Sequence, residues 1–228
     1  AGLSMGFSMV VTGILQAELP DEPWAHPVVA IGYTTGFIVV ILARQQLFTE
    51  NTVTALLPIM SPKSEASTLS LFRLWGIVLT ANVAGTVLFA LAAAELPLFS
   101  EDYRQAFFEI GQELLELSAW EMFARAVPAG WLVAALVWIL PSVEGGRITT
   151  IFFLTWIVGL GGFPHIIVGM VETVYCLLEG GASFLDVVLV FALPTLAGNM
   201  FGGSALFALI SYAQVRKEAL EVVSEGEG

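Results

Sequence analysis

The chain is short of the residues that most enzymatic and binding chemistry uses. Its 228 residues include one cysteine, Cys176, and two histidines, His26 and His165. A lone cysteine excludes an internal disulfide and says nothing about the redox compartment. That inventory falls short of a structural zinc site, so no metal and no cofactor is expected. Only 12% of the residues are charged, and lysine occurs only at Lys63 and Lys217. The net charge of −12 has the wrong sign for a nucleic-acid partner, which wants a basic face. No GxxxxGK phosphate loop and no Gly-x-Ser-x-Gly elbow is present. With no nucleophile–base pair evident, an enzyme is not expected.

Apolar sequence takes their place. The chain is 57% hydrophobic with a mean hydropathy of +0.85, far outside soluble globular composition. This predicts an all-α integral membrane protein with a single transmembrane domain, residues 1–228. A span needs ~20 apolar residues. Six stretches qualify: 1–19, 26–60, 71–98, 120–140, 148–178 and 184–212. The first residue already lies in an apolar run without a charged leader, which reads as a span and not a signal peptide, with a cytoplasmic segment expected before it. Small residues four apart, at Gly2/Gly6, Gly32/Gly36 and Gly198/Gly202, suit close helix packing in lipid. Residues 101–117 differ. Phe107, Ile110, Leu114 and Leu117 recur at helical spacing among acids, predicting an amphipathic helix at the membrane surface or capping the bundle.

Two spans cannot run through unbroken. The fifth carries Gly159, Gly161, Gly162, Pro164 and His165 near its middle. Proline removes a backbone donor and clashes with the preceding turn, so a break is expected over 159–165. Broken backbone at membrane depth is tolerated only where it is buried in protein or lines a cavity. A histidine at that depth is a candidate functional residue. The second span is interrupted by Arg44-Gln45-Gln46-Leu47-Phe48-Thr49-Glu50-Asn51-Thr52, with a break expected over 44–52 and a half helix from Val53 to Met60. Paired interrupted segments in corresponding positions of two halves point to a transport site.

The halves echo each other over 1–98 and 120–212. Asn82-Val83-Ala84-Gly85 closes one, and Gly198-Asn199-Met200-Phe201-Gly202-Gly203 closes the other. Three spans per half is an odd number, so the repeats are expected to be inverted in the membrane. Lys63, Arg73 and Arg147 in short loops, with Arg216 and Lys217 in the tail, place 61–73, 141–147 and 213–228 in the cytoplasm. Both termini are then inside. Trp24, Trp120 and Trp138 lie near span ends and suit an aromatic belt.

Leu47-Phe48-Thr49, Gly162-Phe163-x-His165 and Gly198-Asn199-x-x-Gly202-Gly203, in this order on six spans, resemble the formate/nitrite transporter family. The run 44–52 is similar to the branch named after the YfdC proteins. The resemblance implies an aquaporin-like bundle in the inner (plasma) membrane, a homopentamer with one pore per protomer, and a small monovalent anion or weak acid as solute. It implies that Leu47, Phe48 and Val133 narrow the pore from the cytoplasmic side. Phe37 and Val158 would narrow it from outside. His165 would be the central histidine, with Thr49 orienting it and Asn199 donating from the sixth span. A bare anion crossing such constrictions meets a large desolvation cost, and a neutral acid far less. Histidine, with an unperturbed pKa of ~6.5, suits proton sharing with the solute.

The chain departs from the family's formate channels twice. The lysine they carry before the fourth span is replaced by apolar and acidic residues near Leu114, and the glutamate often found before the histidine is Pro164. A neutral-solute or water pore on the same bundle therefore remains a second reading. Arg44 also has two readings. It pairs with Glu50 or Glu172 and holds the loop, or it replaces the missing lysine as an anion-attracting charge. Glu121 and Arg125, four apart, are expected to pair on a helix surface. His26 is expected to be interfacial.

Overall fold

The computed structural model describes residues 1–55 and 68–208. Every regular element among them is helical. α1 (Gly2–Glu18) and α2 (Ala25–Leu42) lead into a half helix, α3 (Phe48–Thr54). The long α4 (Thr68–Glu95) is followed by α5 (Glu101–Leu115) and by α6 (Ala119–Ile139), which ends in a 3₁₀ turn over Leu140–Ser142. α7 (Arg147–Leu160) and α8 (Ile166–Leu178) are the two pieces of the apolar stretch 148–178. α9 consists of three consecutive pieces, Asp186–Ala192, Leu193–Met200 and Phe201–Ala208, the first and third wound as π-helix. Pro194 has no N–H to donate, so the wider π-winding before it relieves the clash a regular turn would meet. The expected half helix beyond Ala55, Lys63 and the tail 213–228 lie outside the described residues.

Among the described residues, four helices are long and apolar enough to cross a membrane: Ala25–Leu42, Thr68–Glu95, Ala119–Ser142 and Asp186–Ala205. α7 and α8 are apolar but too short to cross singly. Side chains such as Phe7, Ile77, Leu88 and Leu189 stay exposed on the outside of the bundle. That is how a lipid-facing surface is built, since water is not there to exclude them.

Both interruptions fall where expected, and both are shorter than expected. The breaks run over 43–47 and 161–165. Thr49, Glu50, Asn51 and Thr52 look like loop residues in the sequence but are helical. Their polar side chains bond back to the carbonyls of the preceding turn: Asn51 Nδ2 donates to Leu47 O at 2.8 Å, Thr52 Oγ1 to Thr49 O at 2.7 Å and Thr54 Oγ1 to Glu50 O at 3.1 Å. A polar run satisfied in this way needs no water and can be buried.

The two breaks share one geometry. α2 ends with Gln45 N–H donating to Val40 O (2.9 Å) and Arg44 N–H to Ile41 O (3.1 Å). α7 ends with Phe163 N–H donating to Val158 O (3.0 Å) and Gly162 N–H to Gly159 O (3.1 Å). Each is the 6→1 and 5→2 pair of a Schellman stop, with a left-handed residue at its corner. These are Arg44, at φ 53°, and Gly162, at φ 56°. Each chain then runs extended through one residue, Leu47 or His165, and starts a half helix.

An asparagine from a neighbouring helix secures each extended stretch. Asn82 Oδ1 accepts from Phe48 N–H (3.0 Å) while its Nδ2 donates to Gln46 O (3.0 Å). Asn199 Oδ1 accepts from Ile166 N–H (2.9 Å) while its Nδ2 donates to Pro164 O (3.0 Å) and Ala126 O (2.8 Å). Each asparagine is itself crossed closely by a glycine. A side chain on Gly2 would strike the Asn82 carbonyl, and one on Gly130 the Asn199 carbonyl.

α5 packs on α1 and α8 and buries Ala106, Phe107 and Gly111. It begins as expected and ends two residues sooner, at Leu115. Ile110, Leu114 and Leu117 do not seek the same environment as Phe107. They face the mouth of a cavity.

Candidate functional site

The breaks bring the N-terminal turns of α3 and α8 together. Thr49 Oγ1 lies 2.7 Å from His165 Nε2 across 116 residues of sequence. His165 is 1% exposed. Its Nδ1 accepts from Val168 N–H at 3.4 Å, which caps α8. With Nδ1 acting as acceptor, the neutral imidazole carries its hydrogen on Nε2 and donates it to Thr49. The hydrogen of the Thr49 hydroxyl is then not spent on His165. The Phe37 ring meets the imidazole edge-on, with centroids 5.0 Å apart.

Apolar side chains close around this pair. Phe37, Leu47, Phe48 and Val133 belong to one buried cluster, and Val158 is fully buried beside it. Two cavities approach from opposite ends of α2 and α7. One, of about 260 Å³, is lined by Tyr33, Val158, Pro164, His165 and Glu172, with His26, Glu113 and Arg125 also on its wall. The other, of about 310 Å³, is lined by Arg44, Gln46, Glu50, Asn51 and Arg147. The first reaches His165 directly. Among the described residues it carries no lysine and sets two carboxylates, Glu113 and Glu172, against Arg125 and His26, and burial together with Glu116 and Glu109 holds the Glu113 carboxyl above its usual range.

Several expectations need correction. Asn199 spends both amide hydrogens and its oxygen on backbone groups, so it has no donor left for a solute. It positions His165. Arg44 does not pair with Glu172, because the two line different cavities, approached from opposite ends of α2 and α7. Nor does it form an ion pair with Glu50. Among the described residues the ion pair within 4.0 Å is Arg104–Glu179, at 2.8 Å. Glu121 does not need Arg125 either. Its carboxylate accepts from Ser118 N–H (3.0 Å) and Ser118 Oγ (2.7 Å) and closes a capping box at the start of α6. Arg125 is thereby released to the cavity wall.

Sequence reasoning missed Asn82, Tyr33 and Glu113 as participants. Asn82 had a signal, since it heads the echo of Gly198-Asn199 in the other half. Tyr33 and Glu113 had none, because only packing sets which face of their helices meets the cavity.

Thr49→Val tests the contact alone. It keeps the side-chain volume and removes the hydroxyl, leaving imidazole Nε2 without its partner. A buried donor so stranded costs ~1–3 kcal/mol. Solute flux is expected to fall about tenfold with folding retained. Flux equal to wild type would show that the hydroxyl does not meet the solute.

Comparison with known proteins covers nearly the whole chain. Residues 1–213 match the profile of a family described as formate/nitrite transporter. Inner membrane protein YfdC of Escherichia coli K12 is 47% identical over 218 residues, spanning 96% of this chain and 70% of that protein. Transporter YrhG of Bacillus subtilis 168 is 25% identical over 228 residues, spanning 96% of this chain and 82% of YrhG. A solved structure described as a pentameric formate channel with formate bound superposes with a TM-score of 0.80 at 19% identity, covering 94% of this chain and 93% of its own. At that identity the likeness speaks for the fold.

Proposed function

The chain belongs to the formate/nitrite transporter family, and from that premise we propose that it conducts small monovalent anions, or their conjugate acids, across the membrane through a pore within each protomer. The observation that carries this reading is the buried Thr49–His165 contact among apolar side chains, with one cavity reaching His165 and a second approaching from the opposite end. An anion loses its water at Leu47, Phe48 and Val133, or at Phe37 and Val158. It then needs a strong donor at the midpoint. The Thr49 hydroxyl, polarised by the imidazole N–H behind it, is that donor. Proton sharing here begins as this short chain of two hydrogen bonds. The molecule that passes the narrowest point is close to its neutral form.

The six-span architecture with inverted three-helix repeats is part of the proposal. Its support is the matching of Asn82 with Asn199, of Gly2 with Gly130, and of the two Schellman stops. So is a homopentamer in the inner membrane with both termini cytoplasmic, supported by the likeness to a pentameric channel and by the arginines of the short loops. YrhG is described as a transporter and the superposed solved structure as a channel, which supports a site that moves a solute without transforming it.

A neutral-solute pore is the second reading. The observation in its favour is the cavity that reaches His165, where Glu113 and Glu172 stand with Arg125 and no lysine lines the wall among the described residues. Flux of formate, nitrite and glycerol into proteoliposomes, measured from about pH 5 to about pH 8, separates the two. The proposal expects formate or nitrite flux that rises as pH falls, because acid both protonates the solute and strengthens proton sharing. Glycerol flux without any anion flux would overturn it.

A further inference from the structure

We propose that Arg44 is an anion-collecting residue and that, together with Arg147, it makes the cavity opposite Glu172 the loading site for small monovalent oxyanions such as carboxylates or nitrite. The inference rests on the transport reading above and adds to it which end of the pore binds solute first.

Two local rules are broken in this cavity, and each break places a cation there. Arg44 is the one non-glycine residue with positive φ among those described. It stands at the corner of a Schellman stop, where the matching stop in the other half has Gly162. A side chain with a Cβ is disfavoured in that left-handed conformation, and glycine is not. The turn makes no demand for a side chain, because the hydrogen bonds that close it are all backbone to backbone. The Arg44 side chain is exposed and makes no hydrogen bond or ion pair among the described residues. It therefore contributes nothing to the turn it strains. Arg147 breaks a different rule. It is the first residue of α7, where the positive end of the helix dipole disfavours a cation. It too is exposed, without an ion pair among the described residues.

Arg44 and Arg147 line the same cavity, with Glu50 the single carboxylate residue among the described residues that line it. Among the described residues, two cations against one carboxylate give this cavity an excess of positive charge, whereas the opposite cavity sets Glu113 and Glu172 against Arg125 and His26. A planar guanidinium fork matches the paired oxygens of a carboxylate or nitrite. Local strain kept at a site without local benefit is a signature of function. Leu47 and Phe48, three and four residues beyond Arg44, belong to the buried apolar cluster beside the Thr49–His165 contact.

The test uses the full chain in proteoliposomes of determined orientation, with formate as probe, and pairs flux with thermal unfolding in detergent. Arg44→Gly is expected to unfold roughly 2–4 °C higher, since the strain is relieved. The same variant is expected to need about tenfold more formate for half-maximal flux from the Arg44 side, with the maximal rate within about twofold of wild type. Arg44→Lys, which keeps a charge, recovers part of the loss. Arg147→Gln shifts half-saturation in the same direction. A purely structural Arg44 would give the reverse, a less stable glycine variant with unchanged half-saturation, and that result overturns the proposal. Unchanged half-saturation in both Arg44→Gly and Arg147→Gln also overturns it. Formate protection against unfolding separates this inference from the transport reading. If wild type passes no formate or nitrite, yet formate raises its unfolding temperature and fails to do so for Arg44→Gly, the collecting site stands and the transport reading falls. If formate neither passes nor protects, both fall.

Discussion

Replacing His165 by alanine is expected to lower formate or nitrite flux by about tenfold or more and to flatten its dependence on pH. The size follows from removing the donor behind Thr49, since hydrogen bonds involving a charged partner are worth ~1.5–3 kcal/mol. His165 also caps α8 through Val168 N–H, so alanine removes two functions together. His165→Asn separates them. Asparagine can accept the capping hydrogen bond, yet it does not titrate. The asparagine variant is expected to fold like wild type and to lose the pH dependence of flux. Undiminished flux with wild-type pH dependence in the asparagine variant would remove His165 from the mechanism and leave Thr49 as an ordinary lining hydroxyl.

The second large effect is expected away from the pore surface. Asn199→Leu strands three buried backbone groups: Ile166 N–H, Pro164 O and Ala126 O. Each buried polar group left unpaired costs ~1–3 kcal/mol. The sum is several kcal/mol, comparable with the whole stability of an ordinary domain, ~5–15 kcal/mol. The variant is expected not to yield a folded, detergent-stable protein. Asn82→Leu strands two groups, Phe48 N–H and Gln46 O, and is expected to lose less. Asn199→Asp keeps an acceptor for Ile166 N–H and should fall between wild type and Asn199→Leu. Thermal unfolding in detergent ranks the three. An Asn199→Leu protein that melts within a few degrees of wild type would mean that water or a relaxed backbone takes over those bonds, and that the break is held by packing alone.

Much of this was readable beforehand. The six apolar stretches, the two interruptions and the histidine within one of them follow from local composition. Apolar run length and the presence of Gly162 and Pro164 act within a few residues. The resemblance of the Leu47-Phe48-Thr49 run and of His165 to known motifs added the expectation that they meet. The errors have one cause in common. Residues 48–52 read as a loop in the sequence because most of them are polar, yet Asn51 and Thr52 bond back to carbonyls of the preceding turn. Arg44 and Glu172 were offered to each other because membrane charges need partners, but their helices carry them to opposite cavities. Asn199 was expected to face the solute, and its three hydrogen bonds turn it to the backbone.

By itself the sequence determined that this chain lives in a membrane, where its helices break, and to which family it belongs. These depend on local hydrophobicity and on residue types at short spacing, which any fold must honour. Only the tertiary structure decided what each polar side chain does. It set Thr49 against His165 across 116 residues, gave Asn82 and Asn199 to the two breaks, and put Arg44 in a left-handed corner beside Arg147. In a nearly dry interior, the partner a polar group finds depends on which helices cross and at what height. That is a long-range outcome of packing, and no short window of sequence contains it.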